Sequence, residues 1–133
     1  MLEHKFATRL NSFKSKWPSD EKPTTIELIK RASKVEGLTH VDLNYPDHSE
    51  PSIREISAIT NDCGLAINGL AMRYYTNPAF KLGAFTNPNK QVRQEAIDLT
   101  KAAIDALREK MIINEDLSLI HISEPTRLRR VSY

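Results

Sequence analysis

The residues best equipped for chemistry lie at or just after predicted strand ends. Asn11, Asn44 and Asn68 are amides, Arg73 is a guanidinium, and Tyr74 and Tyr75 follow it directly. Amides donate and accept hydrogen bonds, a guanidinium forks around an oxyanion, and phenol rings stack. Each position also has a plainer reading. Asn11 and Asn44 serve equally well to satisfy backbone groups where a strand stops. Arg73, Tyr74 and Tyr75 are as readily a solvated loop with two half-buried rings as a phosphate and ring contact. Asp42 reads as a buried partner for Arg9 or a neighbouring strand rather than as a catalytic acid, because buried charges need pairing.

The histidines His4, His40 and His48 include none in an HxxE or ExxH arrangement, so they define no metal-ligand set. His40 opens a strand and reads as structural. His48 sits in the polar loop PDHSEP, where a lone histidine is ordinarily solvated. Cys63 falls on an apolar helix stripe, which points to the core. Trp17, within KWPSDE, either walls a binding site or packs on its own loop.

Three strand-then-helix units would have to position these groups. The first strand is predicted over 5–13 (KFATRLNSF) and the second over 39–44 (THVDLN), where Val41 and Leu43 alternate with Asp42 and Asn44. The third covers 65–70 (LAINGL), so that Asn68 lies near its end. Period-two alternation turns Val41 and Leu43 toward the helices and Asp42 and Asn44 to the other face; the same rule places Arg9 and Asn11 there. A helix over 25–35 has Ile26, Ile29, Ala32 and Val35 at helical spacing, with Thr24 or Thr25 as its cap. Gly37 suits the left-handed residue beyond it. A second helix is expected to start near Pro51, capped by Ser49, to bury Ile53, Ile56, Ile59 or Thr60, and Cys63, and to stop at Gly64. The third, over 90–109, carries Val92, Ala96, Leu99, Ala103 and Leu107 on one face.

Parallel neighbours need a crossover helix, so this repeat implies an α/β fold with a parallel sheet. Two architectures remain open on pattern alone: a small doubly wound domain, or the opening of a closed (β/α)8 barrel.

Composition closes several function classes. The 133 residues include 40% hydrophobic and 27% charged side chains, ordinary for a folded domain. No run approaches the roughly 18 apolar residues of a membrane span, and the N-terminus lacks an apolar signal core. The single cysteine excludes an internal disulfide and suits a cytoplasmic setting. The net charge of +2 is local: omitting residues 117–133 removes three basic residues and one acidic residue and leaves 16 of each. A neutral body has no general attraction for nucleic acid or membrane. Four glycines, badly spaced, form neither a phosphate-binding loop nor a dinucleotide fingerprint.

The segments RLNSF, VDLNYP, GLAINGLAMRYY and KLGAFTNPNKQVRQEAIDLTKAAIDAL resemble the amino-terminal part of xylose isomerase-like TIM-barrel proteins, the sugar isomerase and sugar-phosphate isomerase/epimerase family. The resemblance covers about residues 5 to 110, most specifically the third strand, its loop and the following helix. It implies a fold class of α/β, the first three βα units of a truncated TIM (β/α)8 barrel over 1–110. The implied parent reaction is metal-dependent aldose–ketose isomerisation or epimerisation of a sugar or sugar phosphate. The substrate contacts it implies are Asn11, Asn44, Asn68, Arg73 and Tyr74, on the face where such barrels place their sites. The family's divalent metal, Mg²⁺, Mn²⁺ or Zn²⁺, would be held by carboxylates and a histidine on later strands. No metal is therefore expected on this chain, which should be inactive as it stands.

Residues 117–127, LSLIHISEPTR, resemble a translated sequencing adaptor, which makes 117–133 a non-biological tail and 111–116 an ambiguous junction. The competing reading is that LSLIHIS is a real fourth strand. Two other functions stay in view: a small non-enzymatic α/β binding module, and a fragment of an abasic-site endonuclease-type barrel, which a neutral body disfavours.

Overall fold

In the computed structural model, which describes residues 4–110 together with Ile120 and His121, strand and helix alternate. They run β1 (Ala7–Arg9), α1 (Thr25–Ala32), β2 (His40–Tyr45), α2 (Ile53–Asp62), β3 (Ala66–Met72), α3 (Lys90–Lys110) and β4 (Ile120–His121). All pairings are parallel and the strand order is β1-β2-β3-β4. The molecule is thus α/β with a parallel sheet.

Local chemistry explains the boundaries. Thr24 caps α1: its hydroxyl accepts from the Glu27 N–H, and the Glu27 carboxylate accepts from the Thr24 N–H at 2.7 Å. Helix α1 stops at Ala32, three residues sooner than the apolar spacing predicts, and Val35 is exposed. Gly37 does take a positive φ of 86°, in the turn leading to β2. Helix α2 begins at Ile53, and its cap is Ser52 rather than Ser49. The Ser52 hydroxyl accepts from Glu55 N–H at 3.1 Å, whereas the Ser49 hydroxyl donates to the Pro46 carbonyl at 2.6 Å. Gly64, with φ 83°, closes α2 as expected.

Strand β1 is much shorter than predicted. Only Ala7, Thr8 and Arg9 pair with β2; the chain then winds into a 3-10 turn over Leu10–Lys14 that fully buries Leu10. Strand β3 runs two residues past its predicted end and carries a bulge. Val41 pairs with Ile67 but Asp42 pairs with Gly69, so Asn68 is the extra residue.

One hydrophobic core joins sheet and helices. It gathers Val41, Leu43, Ile67, Leu70 and Met72 from the strands with Ile29, Ile56, Ala103 and Leu107 from α1, α2 and α3. Burial of this kind is the main favourable term in folding. The buried stripe on α2 is Ile53, Ile56, Ser57 and Thr60: Ser57 joins the expected residues, Thr60 rather than Ile59 fills the third place, and Cys63 is half-buried at the end. Among the described residues no helix is long and apolar enough to cross a membrane. Ile120 and His121 pair with Leu70 and Ala71 of β3; the rest of 111–133 lies outside the described residues.

Candidate functional site

The alternation of β2 sends Val41 and Leu43 into the core and leaves Asp42 and Asn44 on the opposite face. Register places Arg9 beside Asp42 on that face. Two polar pairs form there. The Arg9 guanidinium donates to Asn44 Oδ1, and the Asn68 amide donates to Asp42 Oδ1, each at 2.7 Å. The bulge at Asn68 accounts for the second contact, because the extra residue re-aims its side chain across the strand pair. Asp42 is thus a partner for a neighbouring strand, one of the two plain roles expected of it.

A second group assembles where β2 ends. After the Tyr45–Pro46 turn the chain folds back, with the His48 N–H donating to the Asn44 carbonyl at 2.7 Å. The His48 ring is buried, and its Nδ1 accepts from the Asn44 N–H at 2.8 Å. An acceptor at Nδ1 requires the neutral ring's proton on Nε2. Burial lowers the His48 pKa to about 4; Asp47 opposes this, while Arg73, Lys14 and Arg9 reinforce it. The imidazole is therefore neutral, and the positive charges of Arg73, Lys14 and Arg9 favour that form.

Arg73 is anchored by its own backbone, which donates to the Tyr45 carbonyl at 2.9 Å. Its guanidinium carbon stands 4.7 Å from the centre of the exposed Tyr75 ring, a cation–π distance. Its Nε is buried and has no hydrogen-bond partner.

The expected contact residues thus divide. Asn44, Asn68 and Arg73 lie on or at the end of the polar sheet face. Asn68 is mid-sheet, level with Asp42, rather than at the strand's end. Asn11 lies in the 3-10 turn after β1, where strand alternation no longer sets its direction. Tyr74 goes into the core: it is 2% exposed, shares a hydrogen bond with Thr100 of α3, and meets the Phe80 and Phe85 rings edge-on. Its role is to fasten the loop after β3 to α3. His40 sits at the opposite end of β2 and bonds Thr39 through Nδ1.

Trp17 does wall a groove, of about 490 Å³, but against α1, with Lys16, Pro18, Glu27, Lys30, Arg31 and Lys34. Arg31 lies 5.4 Å from its ring centre and donates to the Phe13 and Ser15 carbonyls.

His48 and its cations are what sequence reasoning missed. The one available signal was the histidine three residues after Tyr45, beyond a proline that forces a turn, near enough to fold back on its own strand. Among the described residues no group of three or more His, Cys, Asp or Glu could hold a metal ion. Compared with protein-family models and with curated proteins, the chain matches none.

Proposed function

We propose that the chain supplies the first three βα units of a xylose isomerase-like TIM barrel acting on a sugar or sugar phosphate, and that its polar sheet face contacts the substrate. The observation that carries this is the polar face itself: Arg9–Asn44 and Asp42–Asn68 hydrogen bonds opposite a core shared by all three helices. A doubly wound sheet is covered by helices on both faces, and its strands are apolar on both. Its strand order also reverses at a switch point. The sequential order β1-β2-β3-β4 and one-sided core suit a barrel wall.

On this reading Asn44 and Asn68 present amides to sugar hydroxyls, and Arg9 and Asp42 hold them in place. A divalent metal, in the parent family, would come with later strands and polarise the sugar carbonyl.

Binding of neutral aldoses tests the contact role without requiring turnover. Saturation-transfer NMR on the whole chain should show a pentose or hexose binding, and Asn44→Ala should weaken it several-fold. Absence of binding by any neutral aldose or ketose sinks the proposal.

The pairing of Ile120 and His121 with β3 favours a second reading, a small α/β binding module in which LSLIHIS (117–123) is a genuine strand. Resequencing the locus across residues 105–133 separates the two. A frame continuing into further strand–helix units supports the barrel and the adaptor origin of 117–133. A genomic LSLIHISEPTRLRRVSY followed by a stop supports the module.

A further inference from the structure

We propose that the groove between Trp17 and helix α1 binds a nucleoside polyphosphate, at a site that shares no residue with the polar sheet face.

The groove holds about 490 Å³, within the range of small-molecule sites. One wall is Lys16, Trp17 and Pro18, just after the 3-10 turn over Leu10–Lys14. The other is Glu27, Lys30, Arg31 and Lys34, whose spacing keeps them on one side of α1 and of the turn that follows it. Arg31 is the fixed point. Its Nη1 donates to the Phe13 carbonyl at 2.8 Å and to the Ser15 carbonyl at 3.0 Å, and its guanidinium carbon lies 5.4 Å from the Trp17 ring centre. Those bonds use Nη1 alone, so Nη2 and Nε keep donors to offer. Aromatic rings and guanidinium planes are the surfaces on which nucleotide bases stack, and here the two are held together.

Charge narrows the class. Four cations line the groove against one carboxylate, and Glu27 is committed to the α1 cap, where it accepts from Thr24 N–H at 2.7 Å and Thr24 Oγ1 at 3.1 Å. Asp20, Glu21 and Lys22 in the next loop, and Glu36 beyond Lys34, do not line the groove. The positive excess is therefore confined to the groove, and the acids outside it suit a compact polyanion better than a long one. Lys16 points the same way. Its φ of 52° lies in the left-handed region that side-chain-bearing residues occupy at a cost. Glycine would fit there without strain, so backbone geometry does not account for the lysine, whereas its place in the groove wall does. Ammonium groups serve phosphates as point charges and a guanidinium serves them as a fork. A simple anion would answer the cations and leave the Trp17–Arg31 pair uncovered; a neutral aromatic would do the reverse. A nucleoside polyphosphate meets both.

Trp17 is the chain's one tryptophan, so its fluorescence reports this groove alone. ATP added to the whole chain should change that fluorescence saturably, and calorimetry should give one site per chain. Adenosine and inorganic tripolyphosphate, which carry the ring and the charge separately, should each bind about ten-fold more weakly or worse. Lys16→Gly should weaken ATP binding several-fold while thermal unfolding shows a fold at least as stable, which separates lost charge from lost structure. Lys34→Met should weaken it similarly, and Lys101→Met, exposed on α3, should leave it unchanged. No saturable change in either readout, adenosine or tripolyphosphate binding as tightly as ATP, or equal weakening by Lys101→Met overturns the proposal.

Discussion

Lowering the pH should destabilise this protein through His48 in a window set by two pKa values. The folded ring titrates at about 4 and the unfolded one near 6.5. Above pH 6.5 both states hold a neutral ring and the full contribution is present. As pH falls, the unfolded state takes up a proton that the folded state refuses, so folding stability drops. Below about pH 4 both states are protonated and the loss stops growing. Between pH 7 and 4.5 the linkage amounts to about 2 kcal/mol, a figure that treats the ring as buried, consistent with its 7% exposure. The assay is urea unfolding at several pH values for the wild type and His48→Gln, which keeps a hydrogen-bonding side chain but cannot titrate. The wild type should lose about 2 kcal/mol more than the variant over that range. Parallel stability curves, or a folded-state His48 pKa at or above 6.5 by NMR, would refute the reasoning. So would nitrogen shifts placing the ring proton on Nδ1, because the Asn44 N–H could not then donate to it.

Two further perturbations test the frame that holds the site. Thr24→Ala removes the hydroxyl that accepts from the Glu27 N–H, and thermal or urea unfolding should show a loss of about 1 kcal/mol. Gly83→Ala should be destabilising by about 1–3 kcal/mol in the same assays. Gly83 has φ 114°, and an added Cβ would stand 2.8 Å from Thr86 Oγ1 and 3.3 Å from the Asn87 backbone nitrogen. The threonine hydroxyl can rotate aside, but the backbone nitrogen cannot.

Much of the architecture was legible because it rests on local periodicity. The alternation of Val41 and Leu43 with Asp42 and Asn44, and the long apolar stripe of α3, each specify an element without reference to the rest of the chain. Errors fell where a non-local partner decides. Phe6, Thr8, Leu10 and Phe13 read as one strand, yet β2 accepts only Ala7–Arg9, and the chain then turns to bury Leu10. Ser49 and Ser52 are equally good caps by type; the backbone N–H of Glu55 selects Ser52. Tyr74 and Tyr75 are neighbours of one kind in a single loop. Only the arrival of Phe80, Phe85 and Thr100 around the first decides that it is core and the second exposed.

The candidate site was hidden for a related reason. Net charge averages over the chain, and a body with equal numbers of acids and bases predicts no field at all. A field depends on placement, and at the buried His48 ring Arg73, Lys14 and Arg9 act against protonation while Asp47 favours it. His48 registers that placement. A solvated loop histidine would keep its ordinary pKa, whereas a buried one near positive charge stays neutral well below it. Its titration therefore reports two things at once, the burial of the ring and the charge around it. Arg73→Met separates them: it should raise the His48 pKa while leaving the Asn44 N–H bond to Nδ1 in place. An unchanged pKa in that variant would mean that Arg73 takes no part in setting it and that burial dominates.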